Sequence, residues 1–178
     1  CIEFLSMKDN PEIIDIGTGS GCIGITLAKE IPSSNVIAID CSEKALAVAE
    51  KNAKIIGIKN IDFVKSDFLK QTIDLRADLL VSNPPYIPKE DISTLMPDVK
   101  EFEPCEALTD NLDGLEFYRV FSKKFDLMIK KDGALIVEVG RDNHPLEAKK
   151  IFERFGHMNV EMINDYNGDI RVIKVIKC

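Results

Sequence analysis

Short apolar runs and amphipathic stretches alternate along the chain. Runs rich in Ile, Val and Leu predict buried strands at 12–16, 36–39, 61–64, 78–82 and 134–139. Apolar residues at helical spacing predict helices between them, at 22–30, 43–56, 114–130 and 146–155. This alternation predicts an α/β fold in which a mostly parallel sheet carries helices on both faces.

Two further strand-like runs, 158–163 and 170–176, close the chain. The connection between them is too short for a helical crossover, so the pair is predicted to be an antiparallel hairpin. The whole prediction is therefore one domain, residues 1–178, with a seven-stranded sheet that is parallel except for a C-terminal antiparallel hairpin.

The predicted strand 78–82 runs directly into Ser82-Asn83-Pro84-Pro85-Tyr86-Ile87-Pro88. Two adjacent prolines stiffen a loop and end sheet pairing, which by itself indicates only a strand terminator. A rigid loop at the carboxyl end of a strand is also where open α/β sheets bind ligands. The region 83–113 has no predicted element and exceeds the usual loop length, which favours a binding surface or a lid.

A glycine-rich segment, Asp15-Ile16-Gly17-Thr18-Gly19-Ser20-Gly21, joins the first strand to the first helix. Glycines allow a tight turn and close approach of a ligand, and the helix start beyond them favours an anion. The spacing differs from the G-x-G-x-x-G of dinucleotide-binding proteins. A glycine turn without a ligand remains an alternative.

The next two strands also end in polar or aromatic residues. Asp40 is placed to accept hydrogen bonds from the hydroxyl groups of a ribose. Its carboxylate could instead interact with the dipole of the following helix. Asp67 and Phe68 could hold an adenine, one by accepting from its amino group and the other by stacking, although Phe68 alone is nearly as well explained as core. Groups suited to a carboxylate, a ribose and an adenine together describe S-adenosylmethionine.

Asn83-Pro84-Pro85-Tyr86 resembles the motif of S-adenosylmethionine-dependent methyltransferases that modify a planar amino or amide nitrogen. Such a nitrogen is a poor nucleophile because its lone pair is delocalised. The side-chain oxygen of Asn83 and the carbonyl of Pro84 could each accept one of its N–H bonds, while Tyr86 stacks on the planar group. The prolines would then keep these acceptors rigid.

The resemblance extends to the HemK/PrmC family of protein-(glutamine-N5) methyltransferases and covers nearly the whole chain. It is carried by Asp15 to Cys22, Asp40-Cys41-Ser42, Ala45-Leu46, Asn52-Ala53, Ser66-Asp67, Val81 to Ile87, Glu103-Pro104, Ala107-Leu108, Asp113-Gly114-Leu115, Tyr118-Arg119, Glu138-Val139-Gly140, Gly168-Asp169 and Arg171. It implies a Rossmann-like class I methyltransferase fold and methylation of the glutamine in the Gly-Gly-Gln loop of class I release factors.

The same resemblance implies roles for individual residues. Asn83 to Tyr86 would hold the glutamine, with Asn83, Pro84 and Tyr86 taking part in catalysis. S-adenosylmethionine would be held by Asp15, Gly17, Thr18, Gly19, Ser20, Gly21, Asp40, Asp67, Phe68 and Asn83. The chain departs from the family in carrying Phe68 where Trp is usual, and we expect the family's N-terminal helical domain to be absent.

Three further residues are left with open roles. Arg171 could bind substrate or stabilise the hairpin, and Glu103 and Glu106 in the long loop could touch the substrate. No general base is assigned, because no histidine lies near the Asn-Pro-Pro-Tyr motif in sequence.

Composition and charge limit the alternatives. The chain has 178 residues, of which 45% are hydrophobic and 30% charged, as in a globular protein. A net charge of −7 argues against an adenine-N6 DNA or guanine-N2 RNA methyltransferase, since nucleic-acid binding depends on neutralising phosphates. The intact Asn-Pro-Pro-Tyr motif argues against a non-catalytic cofactor-binding module. The glycine spacing and the lack of recognisable hydride-transfer residues argue against a nicotinamide dehydrogenase.

The remaining sequence features concern location and metals. The chain opens on Cys rather than Met, which suggests a fragment of a longer protein. Its five cysteines form no Cys-x-x-Cys pair and lie far in sequence from His144 and His157, so we expect reduced thiols, a cytoplasmic location and no metal site. No apolar run is long enough to predict a membrane helix.

Overall fold

The computed structural model describes residues 1–98 and 104–178. A seven-stranded sheet runs through it in the order β3-β2-β1-β4-β5-β7-β6. The strands are β1 Glu12–Ile16, β2 Asn35–Asp40, β3 Ile61–Lys65, β4 Ala77–Ser82, β5 Ile129–Glu138, β6 Val160–Asn164 and β7 Ile170–Ile176. The helices are α1 Ile2–Leu5, α2 Cys22–Glu30, α3 Glu43–Ile56, α4 Cys105–Leu108, α5 Glu116–Met128 and α6 His144–Arg154, with a 3₁₀ turn at Lys89–Thr94.

Strand directions confirm the predicted mixed sheet. The pairs β1–β2, β2–β3, β1–β4 and β4–β5 are parallel. The last strand, β7, is antiparallel to both β5 and β6, so the C-terminal hairpin adds to the edge beside β5. The predicted α/β fold with its antiparallel end is therefore correct.

Helices cover both faces of the sheet, as the alternation of strand residues requires. Ile13 is 1% exposed and packs with Leu5 of α1 and Leu27 of α2 on one face. The next residue, Ile14, is 2% exposed and belongs to the larger core on the other face. That core is built on α5 and α6, with the fully buried side chains Tyr118, Phe121 and Phe152.

The chain reverses its direction of travel across the sheet between β1 and β4, which is the switch point where open α/β sheets bind ligands. Ile16 and Ser82, the last residues of these two strands, are register partners. The Ser82 hydroxyl also donates to the Ile16 carbonyl at 2.7 Å. The glycine loop, residues 17–21, and the acceptor loop, residues 83–88, therefore leave the sheet side by side.

One strand boundary and the long loop differ from the sequence prediction. The fifth strand begins at Ile129 rather than at 134, because Ile129 pairs with Ala77 before a register shift. Its polar start is stabilised by Lys130, whose ammonium lies 2.9 Å from the Asp78 carboxylate. The long loop is not structureless, since it contains the 3₁₀ turn and α4. Among the described residues no helix is both long and apolar enough to cross a membrane.

Candidate active site

A cavity of about 350 Å³ opens at the carboxyl ends of the central strands. This size falls within the usual range for small-molecule sites, roughly 300–1,000 Å³. Most of the residues predicted to hold a cofactor line its wall, namely Gly17, Gly19, Ser20, Asp40, Asp67, Phe68 and Asn83. The fold therefore joins the glycine loop and the acceptor loop in a single site.

The glycine loop is fixed to the end of β2. The backbone N–H groups of Gly17 and Thr18 both donate to the Ile39 carbonyl, at 2.8 and 3.0 Å. Gly21 is the N-cap of α2 with φ +85°, and an added Cβ would lie 2.6 Å from Ile25 Cδ1 and 3.1 Å from Ala49 Cβ. A side chain there would separate α2 from α3, so glycine is required at this position.

Asp40 connects the loop to the cavity wall. Its carboxylate accepts from the N–H of Gly19 and from the N–H of Ser42, both at 2.9 Å. Each carboxylate oxygen has a second acceptor position, so these bonds leave capacity for ligand hydroxyl groups. The position of Asp40 agrees with the predicted ribose contact. Its carboxylate also has a structural role, because it fixes Gly19.

Asp15 lies behind the wall and does not line the cavity. It is 1% exposed, and its Oδ2 accepts from the Thr18 hydroxyl at 2.6 Å and from the Gly24 N–H at 2.9 Å. Its Oδ1 is buried without a partner among the described residues. Burial is the main reason why the pKa of Asp15 is raised to about 6. Thr18 and Gly21 also lie off the wall, so these three predicted residues shape the loop.

The aromatic part of the site differs from expectation. Phe68 lines the cavity but is only 4% exposed, because it packs on Phe121 with ring centroids 4.7 Å apart. The Lys124 ammonium lies 4.4 Å from its ring centroid. Phe117, which the sequence analysis did not select, also lines the cavity and is more exposed. Phe117 therefore offers a ligand more ring surface than Phe68.

Asp67 has local partners at the same wall. Its carboxylate lies 2.8 Å from the Lys70 ammonium and accepts from the Leu69 N–H at 3.1 Å. The bond from Lys70 is the main reason that the pKa of Asp67 is lowered. The adjacent Ser66 donates to Gln71 Oε1 at 2.6 Å, so the turn after β3 is held mainly by its own side chains.

The acceptor loop turns two of its residues toward the cavity. Asn83 and Pro85 line the wall, and Asn83 is exposed, so its amide is accessible to a ligand. Pro84 is buried and Tyr86 half-buried, and neither lines the wall. The loop is paired to the returning chain, since Ile87 N–H donates to the Leu108 carbonyl at 2.9 Å.

Tyr86 is held by two residues that lie far from it in sequence, on the paired strands β5 and β7. Its hydroxyl donates to Glu138 Oε1 at 3.2 Å, and Arg171 Nη2 donates to that hydroxyl at 3.2 Å. Arg171 also forms an ion pair with Glu138 at 3.0 Å. Arg171 lies on β7, so of its two open roles the contacts fit stabilisation of the hairpin, which they tie to Glu138 of β5 and to Tyr86 of the acceptor loop.

His144 lies next to Tyr86 although the two are far apart in sequence. Their ring centroids are 5.9 Å apart. His144 Nδ1 accepts from the Gly140 N–H at 3.1 Å, so the other ring nitrogen carries the proton and donates to the Gly114 carbonyl at 3.1 Å. Burial, as the largest cause, lowers the pKa of His144 and favours this neutral form.

Gly114 supports the acceptor loop from outside the cavity. It has φ +77°, and an added Cβ would collide with the carbonyl group of Tyr86 and approach Pro88 N to 3.3 Å. Asp110 fixes the turn by accepting from the N–H groups of Gly114 and Glu116, at 3.0 and 2.9 Å. The run Asp113-Gly114-Leu115 thus serves as a backbone support.

Several wall residues were missed by the sequence analysis. Most are small or apolar, and no chemistry distinguishes them: Ile39, Cys41, Ser42, Ala45, Val48, Ser66, Pro104, Ala107 and Phe117. Glu106, one of the two glutamates with an open role, lies on the wall, while Glu103 lies outside the described residues. Phe117 lies four residues before Phe121 and packs against it with ring centroids 6.2 Å apart, so its spacing in α5 indicates core and gave no signal of a place on the wall. All five cysteines are free thiols.

Comparison with known proteins identifies close relatives. Residues 1–98 match the sequence model of the methyltransferase small domain. The release factor glutamine methyltransferase of Fusobacterium nucleatum is 42% identical over 174 residues, which are 97% of this chain and 49% of that protein. The enzyme of the same name from Bacillus subtilis is 40% identical over 164 residues, 91% of this chain and 57% of that protein. The chain thus spans about half the length of these curated relatives.

A solved structure supports the fold independently. A methyltransferase from Pyrococcus furiosus superposes with a TM-score of 0.71 at 18% identity, covering 98% of this chain and 80% of that one. At such low identity the likeness concerns the fold alone, and it confirms the predicted Rossmann-like methyltransferase architecture.

Proposed function

Because the chain belongs to the methyltransferase small domain family, we propose that residues 1–178 form one catalytic domain of a release factor glutamine methyltransferase. It transfers a methyl group from S-adenosylmethionine to the side-chain amide nitrogen of the glutamine in the Gly-Gly-Gln loop of class I release factors. The observation that carries this proposal is the position of Asn83 on the wall of the cavity that the glycine loop also lines.

The cavity suits S-adenosylmethionine by the chemistry of its wall. Asp40 and Asp67 supply carboxylates for hydroxyl and amino groups, and Phe117 supplies an aromatic surface for a flat base. Asp15 adds negative charge behind the glycine loop, which favours a ligand that carries an ammonium and a sulfonium group. When bound, this cofactor supplies an electrophilic methyl group, which moves to the acceptor nitrogen while the sulfur keeps the electron pair of the broken bond.

The acceptor loop orients the glutamine amide. The side-chain oxygen of Asn83 and the carbonyl of Pro84 each accept one N–H bond of the amide, which orients the nitrogen and stabilises the positive charge that develops on it during attack. The prolines fix the backbone at both acceptors. After transfer the nitrogen is acidic and its surplus proton leaves to solvent.

Nearby titratable groups are already engaged in the structure. The Tyr86 hydroxyl lies between Glu138 and Arg171, and both ring nitrogens of His144 bond to backbone groups. Neither is therefore assigned as a base. Tyr86 contributes its ring and His144 supports the turn at Gly114.

A competition assay tests the proposed acceptor. The chain is mixed with labelled S-adenosylmethionine, a class I release factor and adenine-containing DNA, and each acceptor is separated and counted. We expect label on the release factor only, lost when its loop glutamine is replaced. Label on DNA would favour the nucleic-acid methyltransferase, and label on neither acceptor from a chain that binds the cofactor would contradict the proposal.

The Asn83→Ala variant is the internal control for the mechanism. Loss of a preorganised polar group of this kind costs about 10²-fold or more in kcat. Cofactor affinity, measured by calorimetry in parallel, should change much less. Turnover equal to that of the unmodified chain would exclude the role proposed for Asn83.

A further inference from the structure

Tyr86, Glu138 and Arg171 form a closed set of hydrogen bonds, called here the Tyr86 network. The Tyr86 hydroxyl donates to Glu138 Oε1 at 3.2 Å, and Arg171 Nη2 donates to both the hydroxyl and that carboxylate, at 3.2 and 3.0 Å. The three residues belong to the acceptor loop, the end of β5 and the start of β7. The network therefore joins the acceptor loop to two strands of the sheet.

The network is partly removed from water. The side chains of Glu138 and Arg171 are 32% and 22% exposed, so their attraction is less screened than that of a fully exposed pair. The guanidinium carbon of Arg171 also lies 5.8 Å from the Tyr86 ring centroid, within cation–π range. Both the hydroxyl group and the ring of Tyr86 thus contact Arg171.

The ring has no spare room on the side of β5. A Cβ added to Gly140 would lie 3.3 Å from Tyr86 Cδ2, which is tighter than most real contacts. His144 packs against the same ring with centroids 5.9 Å apart. Hydrogen bonds at the hydroxyl and packing at the ring together leave Tyr86 a single orientation.

Tyr86 lies directly beyond the two prolines of the acceptor loop. Because Pro84 and Pro85 fix their own φ angles, a displacement of Tyr86 is transmitted to the Pro84 carbonyl and to Asn83. We propose that Glu138 and Arg171 are positioning residues that hold Tyr86 and thereby keep the two acceptor oxygens of the loop in place. This inference rests on the proposed function, and neither residue needs to touch the substrate.

Single substitutions give the first test. We expect Tyr86→Phe, Glu138→Ala and Arg171→Met each to lower kcat about 10-fold or more, because small displacements of reacting groups are costly. The KM for S-adenosylmethionine should stay within about 2-fold, since the network does not line the cavity. Glu138→Gln keeps an acceptor for the hydroxyl and should recover most of the activity lost in Glu138→Ala.

A double-mutant cycle separates this role from general destabilisation. If the hydroxyl of Tyr86 acts only through Glu138, adding Tyr86→Phe to Glu138→Ala should cause no further loss of kcat. Independent, multiplying losses would overturn the inference. The inference would also be overturned if kcat were unchanged in these variants, or if the substitutions raised the KM for S-adenosylmethionine instead of lowering kcat.

A matched control comes from the same strand. Lys174 on β7 forms an ion pair with Glu161 on β6 at 3.2 Å, with the same 22% exposure as Arg171. Lys174→Met removes an ion pair whose carboxylate is 58% exposed, against 32% for Glu138, and should lower kcat less than 2-fold. Equal effects of Lys174→Met and Arg171→Met would assign the effect to the hairpin as a whole and overturn the inference.

Nuclear magnetic resonance of ring-labelled tyrosine tests the network without turnover. The chain has three tyrosines and no tryptophan. Tyr166 is exposed and acts as the reference, whereas the Tyr118 hydroxyl donates to the Glu138 carbonyl at 2.6 Å and lies beside the network. We expect Arg171→Met and Glu138→Ala to shift or broaden the Tyr86 signal and to leave the Tyr166 signal unchanged. An unchanged Tyr86 signal would overturn the inference. If the unmodified chain transfers no methyl group, the proposed function fails, and this spectrum still decides whether the network exists.

Discussion

The two sides of the cavity are built in different ways. On the cofactor side, the contacts join residues at most 21 positions apart: Asp15 binds Thr18 and Gly24, and Asp40 binds Gly19 and Ser42. On the acceptor side, Tyr86 binds Glu138 and Arg171, which lie 52 and 85 residues further along. The first side is formed by two consecutive strand-to-helix units, β1–α2 and β2–α3, whereas the second also requires β5 and β7.

This difference predicts that damage to the acceptor side spreads through the fold. Gly114→Ala combines strain at φ +77° with a collision at the Tyr86 carbonyl. We expect a loss of about 4 kcal/mol in the free energy of unfolding, and a melting temperature lower by roughly 10 °C. Calorimetric melting of the purified chain measures both the melting temperature and the loss of stability.

Gly57→Ala is the matched control for this substitution. Gly57 has a similar φ of +84° but nothing within 4 Å of an added Cβ. Only backbone strain remains there, about 1–2 kcal/mol. Equal losses at the two glycines would show that contact with the acceptor loop is irrelevant to stability.

On the cofactor side we predict an effect of pH on stability through Asp15. Its pKa is about 6 in the fold and 3.8 in the unfolded chain, so the fold holds the proton more tightly. Stability from this group is thus full below pH 3.8 and is lost as the pH rises to about 6, by about 3 kcal/mol. Urea unfolding between these pH values measures the slope.

Asp15→Asn should remove this slope, because the amide does not titrate. The variant should therefore gain stability relative to the unmodified chain as the pH rises toward 7. A difference between the two proteins that is constant from pH 4 to pH 7 would mean that Asp15 titrates normally.

A smaller change in free energy is expected from substitution of Asp40, which should weaken cofactor binding rather than destabilise the fold. Its carboxylate fixes the Gly19 N–H and faces the cavity. A hydrogen bond to a charged group contributes about 1.5–3 kcal/mol, so Asp40→Ala should weaken cofactor binding about 10-fold or more. Calorimetric titration with S-adenosylmethionine measures this, and unchanged affinity would contradict the assignment.

The smallest effect is expected from His144. Burial lowers its pKa below 6.5, so the neutral ring contributes stability that is present above pH 6.5 and is lost as the pH falls below it. His144→Gln should lack this loss at mildly acid pH. Parallel melting curves at pH 7.5 and pH 5.5 test the difference, which would vanish if the pKa of His144 were the same in the folded and the unfolded chain.

The same contrast explains what sequence could predict. Strand ends, the glycine loop and the acceptor loop follow from local patterns, so the sheet was predicted correctly and most of the residues predicted to hold a cofactor line one cavity. Phe117 was not predicted to line the cavity, because the exposure of a helix residue depends on what packs beside it. The sequence did not predict that Glu138 and His144 contact Tyr86, because strand order and helix placement bring them together and sequence distance does not show this.

The most direct test of the account is to locate the transferred methyl group. A class I release factor is incubated with the chain and S-adenosylmethionine, digested, and sequenced by fragmentation in a mass spectrometer. The account predicts a single methyl group on the side-chain nitrogen of the glutamine in the Gly-Gly-Gln loop. A methyl group on any other residue, or an unmodified release factor beside a methylated nucleic acid, would contradict it.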